Sequence, residues 1–514
     1  MTYDVILIAE LQDQLYPTRL LGVQRLATEL RSKGYSVAVI QFFFSWLRDP
    51  EKLKEYFNTL IGSNTVLIGI SVVFDHPLPN STSVKSKNQI LMPTESTAES
   101  DSQKIYNAFL DFNRYIRKKF PHVSWAIGSS DPLSSLNEYK EYIDYVLVGL
   151  ADTKIVKLVD YLKGTGTLFF DQFNGNVKIL SSDPTERSFN FPASTTLFLP
   201  GDQIHHGEVL PMETSRGCLF KCDFCSYPLL GRKKGDPDYH KTVESMATEF
   251  RHHYDNFGIS KYMFVDDTFN ETTQKIENIL KARDLAGVDI NFSAYIRLDL
   301  LKRFPEQVQL LLDLGIQSAS FGIESLYGPS AASIGKTSHT EQVKEFLYHV
   351  ADKWRGKATT QGLFIIGLPY ENPDTLETWI PWVEDPQCPI DNPRFQTLNL
   401  NTNYTFKSSL SANPEKYGYT ITDNTWSNQY WSRTQADEYT NRLTIRMKNL
   451  HRQRIGGWPV LGLQTLGFSI KDLYNTETSQ FRGFHELDFG KIKKLKNQKI
   501  SEYITKMIKS SQDK

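Results

Sequence analysis

Three observations predict an α/β chain with two separate sheets and a helical tail. Short strands that are apolar on both faces alternate with helical stretches over residues 1–165. A second alternation, of six strands and five helices, fills residues 209–404, and the strand pattern is lost over residues 405–514. Strands without a polar face belong to parallel sheets covered on both sides. The first block therefore reads as a doubly wound, Rossmann-like domain. The second reads as a partial (β/α)6 barrel of TIM type, followed by a helical C-terminal extension. Residues 166–208 read as a small β-rich connector.

The bulk numbers agree with this division. A chain of 514 residues is too long for one ordinary core. Its 40% hydrophobic and 23% charged residues are those of a soluble globular protein. A net charge of −1 creates no global field for nucleic acid or membrane, and no apolar run approaches the length of a membrane span. The opening "MTYDVILIAE" lacks a basic n-region and reads as a first strand, not a signal peptide. Four cysteines do not make a disulfide framework, so a reducing cytoplasm is expected.

In the first block, "DVILIA", "YSVAVIQFFF", "NTVLIGISVVF", "SWAIGSS" and "IDYVLVGL" are strand candidates. "LLGVQRLATELRSKG" and "SDSQKIYNAFLDFNRYIRKKF" have helical spacing. Such sheets bind ligands at the carboxyl ends of their strands. Residues 78–101, rich in Ser, Thr, Asn and Pro, read as a long loop on that edge. Asn174-Gly175 between two alternating runs signals a hairpin in the connector. In the second block the strands are "VLPMETS", "KYMFVDDTF", "INFSAYIRLD", "SASFGIES", "TQGLFIIGLP" and "RFQTLNLNTNY". Barrel chemistry sits on the loops after such strands.

The first of those loops, "TSRGCLFKCDFCSYP", holds Cys218, Cys222 and Cys225. A disulfide would strand one thiol, and a structural zinc wants a fourth ligand that His205, His206 or His240 would have to supply without finger-like spacing. Three thiolates on one loop suit three irons of a [4Fe-4S] cube and leave its fourth iron open. Spacing alone leaves cluster, zinc and chance in play.

The stretch resembles the cluster loop of radical S-adenosylmethionine (SAM) enzymes, down to Phe224 before the third cysteine. "KYMFVDDTFN", "FSAYIRLDLL", "LGIQSASFGIESL" with "IGKT", and "LFIIGLPYENPDTLE" resemble that family's following strands in order, over residues 209–385. The resemblance implies that SAM chelates the open iron and is cleaved reductively to a 5′-deoxyadenosyl radical. An electron donor such as flavodoxin or ferredoxin is implied as partner. Glu324 and Ser325 match ribose and SAM contacts, while Gly367, Leu368, Pro369 and Glu371 match a motif near adenine. From their strand-end positions, Asp266 and Asp267 suit the SAM ammonium or a substrate hydroxyl, with a helix N-cap as the plain alternative. Arg297 suits the SAM carboxylate, with an ion pair to Asp299 as its alternative. Lys336 reads as a solvated or helix-anchoring residue.

Residues 1–163 resemble the B12 (cobalamin)-binding domain that precedes this barrel in some radical SAM enzymes. On that resemblance Gly128, Ser129, Ser130 and Gly149 would line a corrin. The histidine that ligates cobalt in some cobalamin proteins is absent after the first strand. The fourth-strand loop reads Gly128-Ser129-Ser130-Asp131-Pro132, and Gly149-Leu150-Ala151-Asp152 replaces an acidic glycine-rich turn. A domain that only shapes the substrate cavity is the alternative to a corrin site. Cys388 alone cannot hold an auxiliary cluster and reads as a small buried hydrophobe. Trp426, Tyr430, Trp431 and Trp458 read as packing residues, and the Lys-rich tail as an amphipathic docking helix. The expected activity is cobalamin-dependent methylation of an unactivated carbon. The competing expectations are a radical SAM oxidation, epimerisation or rearrangement without cobalamin, and a non-catalytic zinc-stabilised binding module.

Overall fold

A computed structural model describes residues 2–9, 19–72, 98–129, 131–181, 189–227, 229–233, 236, 239–400, 406–422, 425–448, 474–475, 480–481 and 489–512. Ser130, Trp458 and residues 78–97 of the expected loop lie outside them.

Strands β1 (Val5–Ala9), β2 (Val37–Ile40), β3 (Leu67–Ser71), β4 (Ser124–Ser129) and β5 (Tyr145–Val148) are parallel, in the order β2-β1-β3-β4-β5. Their side chains alternate between two cores. Val5, Leu7 and Ala9 pack with α1 (Leu21–Ser32) and, further along the sheet, α4 (Asp152–Leu162). Ile6 and Ile8 pack into the opposite core with α2 (Pro50–Leu60) and α3 (Ala98–Lys119). This explains why the strands show no polar face. The strand order reverses between β1 and β3, the switch point where doubly wound sheets bind ligands. The hairpin at Asn174-Gly175 forms as β6 (Gln172–Asn174) and β7 (Val177–Leu180). Its second strand pairs parallel with β5, so the hairpin extends the first sheet and does not stand apart from it.

The second sheet contains β8 (Val209–Met212), β9 (Lys261–Phe264), β10 (Asn291–Ile296), β11 (Ile316–Glu324), β12 (Thr359–Ile366) and β13 (Asn392–Thr397). All are parallel and lie in chain order, with β8 and β13 at the edges, so the barrel is partial. Helices α5 (Val243–Phe257), α6 (Thr273–Ala286), α7 (Glu306–Leu314) and α8 (Thr340–Trp354) lie between strands in the chain. Thr242 and Thr272 cap α5 and α6 through side-chain bonds to Ser245 N and Lys275 N.

The C-terminal region is helical in α9 (Arg433–Lys448), which packs on β13 and β12, and in α10 (Phe489–Gln512). It also contains a short hairpin, Thr420–Thr422 with Thr425–Ser427, too brief for strand alternation to reveal. Trp426 and Trp431 are buried in the barrel core. The Lys-rich helix α10 returns to the first domain, where Ile500, Tyr503 and Met507 join the core beside α2. Among the described residues no helix is long and apolar enough to cross a membrane.

Candidate functional site

The thiol loop leaves the carboxyl end of β8 and folds back on itself. Cys218 N donates to Leu229 O (3.2 Å), Arg232 N to Cys218 O (3.1 Å) and Gly231 N to Phe220 O (3.2 Å). A tight turn brings Cys225 N to 3.0 Å from Cys222 O. Two groups outside the loop touch its sulfurs. Thr268 Oγ1 lies 3.3 Å from Cys218 Sγ, and Arg297 Nη1 lies 3.4 Å from Cys222 Sγ. Arg297 also stacks on Phe220 at 3.8 Å and forks onto both oxygens of Asp299 at 3.0 and 2.8 Å. The ion pair and the site contact thus coexist in one side chain.

Burial raises the Cys218 thiol and pushes Cys225 up to about 11. Such thiols become thiolates when a metal takes the proton's place. Among the described residues no three such side chains converge on a single metal ion, so it is the chemistry of the donor set that fits an iron–sulfur cluster, whose irons each take one thiolate: three sulfurs, with a guanidinium and a hydroxyl as polar support. The histidines a zinc would need are engaged elsewhere. His240 Nε2 is 2.8 Å from Glu271 Oε1, His205 faces Lys506, and His206 lies against Gly258. Cys388 is buried in the barrel core.

Beneath the loop lies a closed polar network. Asp266 accepts from Thr214 N (2.7 Å), Ser215 N (3.2 Å) and the Thr214 hydroxyl. Lys275 Nζ reaches Asp266 Oδ2 (2.9 Å), Glu271 Oε2 (2.9 Å), Ser215 Oγ (2.7 Å) and Thr268 O (3.1 Å). Asp266 is therefore neither a helix cap nor a free ligand carboxylate, because its oxygens fasten the start of the thiol loop to β9. Asp267 differs. Burial, and then the Asp266 carboxylate beside it, push it up to about 7, and the field of its charge reaches Cys218 and Cys225.

The ends of β11 and β12 divide similarly. Glu324 holds a left-handed backbone (φ 70°), with Lys336 Nζ 3.6 Å from its carboxylate and 2.9 Å from Gly322 O. Lys336 is thus an anchor. Glu371 accepts from Ser325 Oγ (3.1 Å), Gly367 N (3.0 Å) and Leu368 N (3.4 Å), closing its own turn. Gly367 has φ 92°, and a Cβ there would sit 2.5 Å from Trp426 Cη2. Its close approach is to an indole of the C-terminal extension. Tyr419 Oη donates to Gly367 O (2.7 Å), and Trp431 Nε1 to Glu371 O (2.8 Å). Ser325, Gly367 and Glu371 form this scaffold, whereas Asp267, Arg297 and Glu324 surround the thiols or the strand ends next to them.

Burial pushes Glu371 up to about 8, against three hydrogen bonds that favour the carboxylate. A raised carboxyl takes up a proton on folding, so its contribution is full below about 4.5 and is lost as pH rises towards 8. Glu371→Gln is expected to flatten stability over that window. Urea midpoints at pH 5 and pH 8.5 check this, and an unchanged pH slope would contradict it.

At the carboxyl edge of the first sheet, Gly149 (φ 75°) donates to Ser129 O (2.8 Å), and Asp131 N to Ser129 Oγ (3.1 Å). A Cβ on Gly128 would make only ordinary contact, 3.5 Å from Leu147 O. Two residues not singled out from the sequence lie on the same edge. Gln24, in the first turns of α1, has both polar side-chain atoms buried without partners among the described residues. Gln41, directly after β2, accepts from Leu20 N, while its buried Nε2 has no partner among the described residues. Orphaned amides at a ligand edge fit a group with an amide-rich rim, such as a corrin. The thiol loop reaches this edge directly: Arg216 forks onto Asp152 at 2.7 and 3.1 Å.

Residues 212–382 match the sequence profile of the Radical SAM superfamily. The chain is 29% identical over 252 residues to an uncharacterized methyltransferase of Pyrococcus horikoshii, covering 46% of this chain and 52% of that protein. It is 26% identical over 165 residues to bacteriochlorophyllide d C-12(1)-methyltransferase of Chlorobaculum tepidum, covering 32% and 34%. The chain thus spans from about a third to about half the length of these relatives. In fold it is similar to the radical SAM methyltransferase TsrM of Kitasatospora setae, solved with cobalamin and a [4Fe-4S] cluster. There the TM-score is 0.57 at 16% identity, over 84% of this chain and 81% of that one. It is also similar to OxsB, a cobalamin-dependent SAM radical enzyme solved with aqua-cobalamin and SAM, with a TM-score of 0.53 at 17% identity over 81% and 56%. The profile match over residues 212–382, the thiol loop within it and the partial barrel built around that loop identify this part of the chain as a radical SAM domain.

Proposed function

We propose that this radical SAM enzyme is cobalamin-dependent and methylates an unactivated carbon. One observation carries the reading: the thiol loop after β8 is joined by a buried ion pair to the carboxyl edge of a doubly wound sheet. On this reading the two candidate cofactor sites would face a common space. When bound, a [4Fe-4S] cluster with SAM supplies hydrogen abstraction, and cobalamin supplies the methyl group. The chain's own residues hold and orient. Cys218, Cys222 and Cys225 would hold the cluster, and Arg297 keeps a positive charge beside Cys222. Asp267 and Glu324 would orient SAM; Gly149, Ser129, Gln24 and Gln41 would face the corrin. A flavodoxin or ferredoxin would supply the electron.

Anaerobic reconstitution with iron, sulfide and hydroxocobalamin tests this. Acid-labile sulfide, a corrin absorption band, and both 5′-deoxyadenosine and S-adenosylhomocysteine after reduction with SAM and a methyl acceptor are expected. Absence of bound corrin would sink the cobalamin part. 5′-Deoxyadenosine without S-adenosylhomocysteine would favour a cobalamin-independent rearrangement or oxidation. One zinc with no sulfide would overturn the whole reading.

A further inference from the structure

Arg216 and Asp152 follow strands of different sheets, yet they form a buried ion pair, with side chains 8% and 4% exposed. Arg216 stands two residues before Cys218, and Asp152 is the first residue of α4, three after Gly149. The seam around them is built, not incidental. Arg216 also pairs with Glu213 at 2.9 and 3.1 Å. Its guanidinium lies over Phe191 at 4.6 Å and Phe189 at 5.3 Å, both on the connecting segment. Arg25 of α1 brings Nε within 3.4 Å of the same Asp152 carboxylate and stacks on Phe189 at 5.1 Å. Lys241 closes the far side over Phe191 at 5.8 Å and pairs with Glu249.

Burying so many charges costs desolvation that well-packed apolar residues would not incur. Such seams serve where two bodies must meet in one register. Here both ends are short, so each charge sits beside a loop that would carry a cofactor.

We propose that Arg216 and Asp152 are positioning residues that couple the thiol loop to the Gly149 turn, so that occupancy of one cofactor site changes affinity at the other. This rests on the cobalamin reading above. A bidentate fork fixes the relative orientation of the two groups as well as their distance. Coupling between sites is reciprocal in free energy, so either cofactor can report it.

The test is titration of hydroxocobalamin into the full chain with and without its reconstituted cluster, read from the corrin absorption band. In the unsubstituted protein the two dissociation constants should differ by at least about fivefold, the low end of measured couplings. In Asp152→Asn the ratio should fall to within about twofold, with corrin still bound. Phe191→Leu loosens the seat of Arg216 without stranding a charge, so it decides the matter if Asp152→Asn fails to fold. It should reduce the ratio too. An unchanged ratio in both variants, or no difference in the unsubstituted protein, overturns the coupling. Failure of the unsubstituted protein to bind corrin in either state overturns the cobalamin reading itself, and the coupling with it.

Discussion

Lys275→Met is expected to cost about 3–5 kcal/mol of folding stability, the range for breaking a buried pair by removing one partner. Lys275 is 3% exposed, and its ammonium neutralises two carboxylates, Asp266 and Glu271, that are themselves buried. Methionine fills much the same volume but leaves both acids without a counter-charge. It also leaves Ser215 Oγ and Thr268 O without their donor. The loss is not confined to stability, because those two acceptors flank the thiol loop. Ser215 precedes Cys218 by three residues, and the Thr268 hydroxyl contacts its sulfur. Iron content after reconstitution should therefore fall together with the urea midpoint. The double variant Lys275→Met, Asp266→Asn should recover part of the loss, since it strands one acid in place of two. A single variant within about 1 kcal/mol of the parent would show that this network does not hold the loop.

The same network marks where the sequence stops being readable. The sheets were legible because runs such as "VILIA" and "VAVI" suit a strand buried on both faces and little else. Their two-residue alternation serves two cores that are both dry. The thiol loop was legible because three cysteines at that spacing narrow the uses to a few, and the resemblance of the loop and the strands after it chose among them. Asp266 was not. A carboxylate beyond a strand end looks identical whether it faces a ligand or its neighbours. What decided it was a lysine in the first turn of α6 that, read alone, belongs on a solvated face. Gly367 shows a subtler gap. The resemblance puts it near adenine, but the partner that requires a glycine there, Trp426, comes from a hairpin too short to leave a periodic trace. Arg216 and Asp152 carry no signal in either segment alone, since their pairing exists only once two sheets meet. Local patterns thus determine what each sheet is, while the charges that join them depend on tertiary contacts with no local period.

Gly217→Ala should abolish cluster loading without removing a single sulfur. Gly217 has φ 92°, a region that costs a residue with a side chain roughly 1–2 kcal/mol. An added Cβ would meet Leu229 O at 2.7 Å and Arg232 Cδ at 2.5 Å. The arginine methylene can swing aside. The carbonyl cannot, because it accepts the Cys218 amide and so closes the loop's own bridge. Relief must come from the backbone that carries Cys218, which would move relative to Cys222 and Cys225. The barrel core does not depend on that bridge, so apo stability should fall by only about 1–3 kcal/mol. Reductive SAM cleavage should fall by about 100-fold or more, the penalty for misplacing reacting groups by about an ångström. Iron analysis, visible absorbance and 5′-deoxyadenosine release measure the effect, with Cys222→Ala as the zero point. If Gly217→Ala kept full iron and turnover, the loop would be shown to adapt, and the close approach at Leu229 would be packing alone.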